Sequence, residues 1–177
     1  MYAYHIDRSH SNHFNKGDNI VLSKSITNFE ETNLLLETQF SEGLTKHGQK
    51  YLTNSIDPRT PWNNFYETIF EYERKINFPE KISRYQSLFA LEKLDDVRYW
   101  EEVFQLKGKE PIWKVYAPDD KVFRADASWF TLENFDQSTL RISYNARQYW
   151  SGNLREGYSA KPELLIRGSM RLVERVR

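Results

Sequence analysis

With 177 residues, 39% hydrophobic and 15% aromatic, the chain carries the apolar load of one folded domain, which excludes a wholly disordered chain. Its 25 Lys and Arg balance 25 Asp and Glu, which excludes nucleic-acid binding driven by net charge alone. The absence of cysteine excludes disulfides, zinc–thiolate sites and cysteine nucleophiles.

In chain order, YAYHIDR (2–8) alternates Tyr4 and Ile6 with His5 and Asp7, the period of a half-buried strand. A polar, turn-rich stretch follows, and NIVLSK (19–24) reads as a second strand. TNFE (27–30) has the form of a capping box, and Phe29, Leu36, Phe40, Leu44 and Tyr51 behind it predict a helix over roughly 28–53, with Gly43 and Gly48 as the points at which it would break in two. Thr60 and Pro61 open a further helix, with Trp62, Phe65, Tyr66, Ile69, Phe70 and Ile76 as its apolar face and Pro79 as its stop. SRYQSLFALE (83–92) reads as a strand, with Tyr85, Ser87 and Phe89 on one face. LDDVRYWEEVFQ (94–105) reads as a short helix with Asp95 and Asp96 where the helix dipole favours them. Residues 111–117 and 121–130 predict a hairpin or two adjacent strands, 139–150 an amphipathic helix closed by Gly152, and 163–167 with 170–176 a final strand pair. Strands at both ends with helices between them give an α+β class in one domain, 1–177.

Several chemistries drop out early. The seven glycines form neither GxGxxG nor GxxxxGKS, so Rossmann and P-loop enzymes are excluded, and no GxSxG elbow exists. His5, His10 and His13 match no metal-ligand spacing, and no metal is expected. No run approaches the roughly 18 apolar residues of a membrane span, and the opening MYAYHIDRSH has no apolar signal-peptide core. The expectation is a cytoplasmic protein that does not engage a membrane.

Three places remain: His5 in YHIDR, the Tyr85/Ser87/Phe89 strand in SRYQSLFALE, and Glu163 in PELLIRG. In that order they resemble the His–Tyr–Glu or Arg–Ser–Glu signature of the ADP-ribosyltransferase superfamily. SLFALEKLDDVRYWEE is similar to that family's strand followed by a small acidic helix, and PELLIRGSMRLV to its late strand, where a glutamate precedes an apolar run, a glycine and another strand. ARQYWSGN resembles an uncharacterised bacterial and phage branch of the same superfamily.

The resemblance implies two packed antiparallel sheets meeting at a central cleft, with flanking helices and with 2–8, 84–91 and 162–167 bordering the cleft. It implies ADP-ribosyl transfer from NAD, which is then the substrate, by cleavage of the nicotinamide–ribose bond, with the acceptor left open among protein, nucleic acid, small molecule and water. Glu163 would stabilise the oxocarbenium-like centre, and His5 would hold a ribose hydroxyl. Tyr85 or Phe89 would stack on nicotinamide, with Ser87 hydrogen-bonding nearby. Arg8 or Arg84 would neutralise the pyrophosphate, with Lys16 and Lys24 completing a basic edge. Phe89 lacks the hydroxyl of the tyrosine slot, and the residue two before Glu163 is Lys161, whereas arginine-modifying members carry a glutamate or glutamine there. Two alternatives stand beside this reading. One is a non-catalytic interaction protein anchored by aromatics such as Trp100, Trp129 and Trp150. The other is a pocket that binds a ribose or an RNA end.

Overall fold

The computed structural model describes residues 1–8, 14–24, 27–53, 61–130 and 138–177. Among them the order is β1 (Tyr2–Ile6), β2 (Asn19–Ile20), α1 (Glu30–Gln39), α2 (Lys46–Leu52), α3 (Pro61–Asn77), β3 (Ser87–Ala90), α4 (Asp96–Val103), β4 (Ile112–Tyr116), β5 (Val122–Asp126), α5 (Thr139–Trp150), β6 (Pro162–Arg167) and β7 (Met170–Arg175). This is an α+β fold with two antiparallel sheets, ordered β1-β4-β7-β2 and β3-β6-β5. His10, His13 and Thr60 lie outside the described residues.

Burial of β6 explains its run of aliphatic residues. It is the central strand of its sheet, with both edges paired to β3 and β5, and one face packs on the other sheet while the opposite face packs on α3 and α5. Leu164 and Ile166 join Leu88, Ala90, Val115 and Leu172 in the core between the sheets. Leu165 points the other way, into a core built with Phe70, Ile142, Tyr149 and Trp150 from α3 and α5. Because strand side chains alternate, Glu163 shares the face of Leu165 and is directed toward the helices.

The sheets are joined at one edge. Tyr4 N donates to Leu91 O at 2.8 Å and Leu91 N to Tyr4 O at 2.7 Å, so β1 lies against the end of β3. β1, β3 and β6 therefore stand side by side. The turn from β6 to β7 changes sheet within two residues, which requires the left-handed backbone of Gly168 (φ 80°).

Several expected elements are redrawn by packing. The helix expected over 28–53 is two, α1 and α2, and its first residue is Glu30 behind Phe29, with no side-chain cap from TNFE. The strand expected from Asn19 stops at Ile20, followed by an isolated bridge from Ser23 to Leu44. β4 and β5 do not pair with each other, nor do β6 and β7, because each pair is divided between the two sheets. Trp62, Phe65 and Ile76 of α3 are exposed, whereas Tyr66, Ile69 and Phe70 form its buried face. Trp100, Trp129 and Trp150 are core residues, which removes them as anchors for a partner. Among the described residues no helix is long and apolar enough to cross a membrane.

Candidate active site

Glu163 is 6% exposed, and a charge so buried needs partners. Its Oε1 accepts from Arg84 Nη1 at 2.5 Å and from the Tyr149 hydroxyl at 2.7 Å. Arg84 Nη1 also donates to the Tyr149 oxygen at 2.6 Å, closing a triangle. Both hydrogen bonds fall on Oε1, and Oε2 accepts none from the described residues. The far edge of the guanidinium is held by Glu67, through Nε at 3.0 Å and Nη2 at 3.2 Å. One arginine thus lies between two carboxylates, over the ring of Phe130 at 4.0 Å and beside that of Phe89 at 4.9 Å.

The local sequence accounts for each position. Glu67, Glu71 and Arg74 recur at i, i+4 and i+7 on α3 and form a buried polar stripe within an otherwise apolar helix face. Glu71 accepts from Arg74 at 2.8 and 3.1 Å and from Ser83 Oγ at 2.8 Å, while Arg74 Nη1 donates to Lys81 O at 3.0 Å. That second network pins residues 81–83 and delivers Arg84 to Glu67. On the other side, Asp126 at the end of β5 accepts backbone N–H groups of Ser128 (2.9 Å), Lys161 (2.9 Å) and Arg155 (3.1 Å). It fastens the segment that leads into Glu163.

The electrostatics follow from this geometry. Burial alone would raise the Glu67 carboxyl, but Arg84 and then His47 outweigh it and hold it at about 2. Burial also disfavours the Arg84 cation, yet Glu163 and Glu67 together push its pKa well above the ordinary value. Burial raises the Tyr149 phenol, and Glu163 raises it further, so Tyr149 remains a neutral donor.

An aromatic wall adjoins the cluster. His47 and Tyr51, one turn apart on α2, have ring centroids 4.8 Å apart, and His47 stands 4.7 Å from Phe89. All three rings are half-buried. His47 Nε2 is 3.1 Å from Glu67 Oε1 but out of line for a hydrogen bond, and it has no other partner among the described residues. α2 reaches this position because Thr45 N and Oγ1 both donate to Tyr85 O, at 3.0 and 3.1 Å, over the surface of Gly48.

The residues expected from sequence divide as follows. His5 and Phe89 meet directly: His5 Nδ1 lies 2.8 Å from Phe89 O and must be the donor, which leaves Nε2 as an acceptor in the neutral ring. Burial lowers the His5 pKa, opposed in part by that hydrogen bond. Ser87 is fully buried, and its hydroxyl donates to Ser83 O at 2.7 Å, so it is not presented to a ligand. Tyr85 lies in a one-turn 3-10 helix ahead of β3 and packs with Phe40 and Leu44, off the face of Phe89. Arg84 is saturated by two carboxylates, which corrects its assignment to a pyrophosphate. Arg8 is exposed and crosses the Phe104 ring at 3.8 Å, yet its guanidinium is crowded enough that burial lowers its pKa against the pull of Tyr51 and Glu163. Lys16 lies beside β2, at the opposite edge of its sheet from β1, and Lys24 lines a shallow groove along α1. The expected basic edge therefore does not form from these four residues. The grooves along α1, about 210 and 460 Å³, do not reach the Glu67–Arg84–Glu163 cluster, and the buried charge makes that cluster the candidate site.

Glu67, Arg84 as a carboxylate partner, Tyr149, His47 and Tyr51 are the residues that strand-by-strand reading passed over. The available signals were the charged stripe on α3 and the His47/Tyr51 pair at i, i+4.

Residues 3–177 match a family model described as protein of unknown function (DUF2441). The chain belongs to that family. No curated protein matches it.

Proposed function

We propose that the protein cleaves the nicotinamide–ribose bond of NAD and passes ADP-ribose to an acceptor, with Glu163 as the residue that stabilises the reacting centre. The observation that carries this reading is the state of the Glu163 carboxylate. It is buried at the start of a central strand, fixed through Oε1 by Arg84 and Tyr149, and left with Oε2 unengaged by the described residues. A carboxylate held in that way is preorganised to meet developing positive charge.

In the reaction, the C1′–N bond of the nicotinamide ribose breaks and its electron pair leaves with the ring, which departs as neutral nicotinamide. C1′ passes through an oxocarbenium-like state opposite Glu163 Oε2. An acceptor oxygen or nitrogen then bonds to C1′ and loses its proton. Phe89, His47 and Tyr51 supply flat surface for the departing ring. His5 Nε2 accepts from a ribose hydroxyl. Arg8, exposed beyond β1, is the cation available to the pyrophosphate.

Incubation with NAD labelled in the adenylate half, alone and with cell lysate, tests the reading. The expected result is release of nicotinamide and transfer of label to an acceptor or to water. Absence of nicotinamide release with every acceptor pool overturns the catalytic reading and leaves a protein that binds a partner, a ribose or an RNA end through this scaffold.

A further inference from the structure

We infer that Glu67 sets the charge of the site, so that the aromatic wall of Phe89, His47 and Tyr51 selects a flat cation over a neutral ring of the same shape. Resting on the function proposed above, the cation is the pyridinium ring that NAD carries before its glycosidic bond breaks.

The argument is one of counting buried charge. Arg84 and Glu163 by themselves form a neutral pair, and a neutral pair does little for a neighbouring cation. Glu67 binds the opposite edge of the same guanidinium, at 3.0 and 3.2 Å, and adds a second carboxylate that is itself buried. With His47 uncharged, Glu67, Arg84 and Glu163 sum to one negative charge. Water does not screen that charge from within the cluster as it would at the surface. The wall is within reach of it: Phe89 lies 4.9 Å from the Arg84 guanidinium, and His47 stands between Phe89 and Glu67. Arg8 lies within electrostatic reach of Glu163 and Tyr51 but rests over the Phe104 ring and forms no ion pair with Glu163, so it offsets the negative charge less than Arg84 does. An aromatic surface beside a buried net negative charge favours a planar cation on two counts, through the ring faces and through the carboxylates. Loss of the pyridinium charge on bond cleavage then weakens the hold on the leaving ring, while the new positive charge at C1′ meets the same carboxylates.

Glu67 contacts Arg84 and His47 and acts on a ligand through them, so it is a positioning and charge-setting residue. The test compares 1-methylnicotinamide, a cation, with 3-methylbenzamide, its neutral isostere, by chemical-shift titration at pH 8, above the ordinary imidazole range. The whole protein should bind the cation about tenfold more tightly. Glu67→Gln keeps an acceptor for Arg84 and removes the charge, and it should bring the two ligands within about twofold of each other. Glu67→Asp should retain the preference. A merely structural role would weaken both ligands together and leave their ratio unchanged. Equal binding of the two ligands by the parent protein overturns the inference, whether or not the Glu67→Gln variant folds. So does a Glu67→Gln variant that keeps the tenfold preference. Nicotinamide release from NAD is scored separately. Preference for the cation without NAD turnover refutes the proposed reaction alone, and turnover without the preference refutes the role of Glu67 alone.

Discussion

At the scale of single residues, the decisive feature is that a glutamate at a strand start is buried and not solvated. Glu163→Gln keeps an oxygen for Arg84 and Tyr149 to donate to, because both contacts fall on one carboxylate oxygen. The variant should fold, with stability lowered by about 1–3 kcal/mol as the buried Arg84 loses a charged partner. On the proposed reaction, nicotinamide release should fall roughly 100-fold while the KM for NAD changes little, since the charge matters most when the cation forms. Steady-state kinetics beside a urea titration separate the two effects, and a variant that turns over at the parent rate removes Glu163 from the chemistry. Asp126→Asn tests the anchor in front of it. Three backbone N–H groups converge on the two Asp126 oxygens, and an amide turns one of its ends into a donor. The expected cost is about 1–3 kcal/mol of stability, read as a lower urea midpoint.

At the scale of elements, helices announced themselves better than strands. α5 runs from Thr139 to Trp150 and α3 from Pro61 to Asn77, where the proline and the apolar spacing put them. Strand pairing was less legible, because alternation specifies which residues face inward but not which strand lies alongside. That is why 112–116 with 122–126, and 162–167 with 170–175, look like hairpins in sequence and belong to different sheets. α2 depends on a contact that no periodicity reveals. A Cβ added at Gly48 would come within 2.2 Å of the Tyr85 carbonyl oxygen, a backbone atom that cannot swing aside. Gly48→Ala should therefore cost about 1–3 kcal/mol, despite the better helix propensity of alanine. It should also displace His47 and Tyr51 from the wall. Differential scanning calorimetry, with chemical-shift mapping of the His47 ring, distinguishes this from a silent change.

At the scale of the whole molecule, the buried ion network makes stability depend on pH. The Glu67 carboxyl is held at about 2 in the folded chain against an ordinary 4.5, so its contribution is complete above pH 4.5 and is lost as the pH falls toward 2. That displacement corresponds to about 3 kcal/mol. His5 is depressed below 6.5, so the folded chain resists its protonation and further stability is lost as the pH drops below 6.5. Urea midpoints measured from pH 8 to pH 3 should fall in these two stages. Glu67→Gln should flatten the lower stage, and His5→Asn, which keeps a donor for Phe89 O, the upper one. A parent midpoint that is level from pH 7 to pH 3 refutes both assignments. By itself the sequence determined the α+β class and the placement of most strands and of α3 and α5, because periodicity, proline and glycine breakers are local properties of the chain. Only the tertiary structure decided that Arg84 is shared between Glu67 and Glu163, that Tyr149 closes their triangle and that Ser87 and Tyr85 turn away. The residues that neutralise a buried charge are 14, 17, 65 and 79 positions apart, and their meeting follows from how α3 and α5 pack on β6, not from any spacing along the chain.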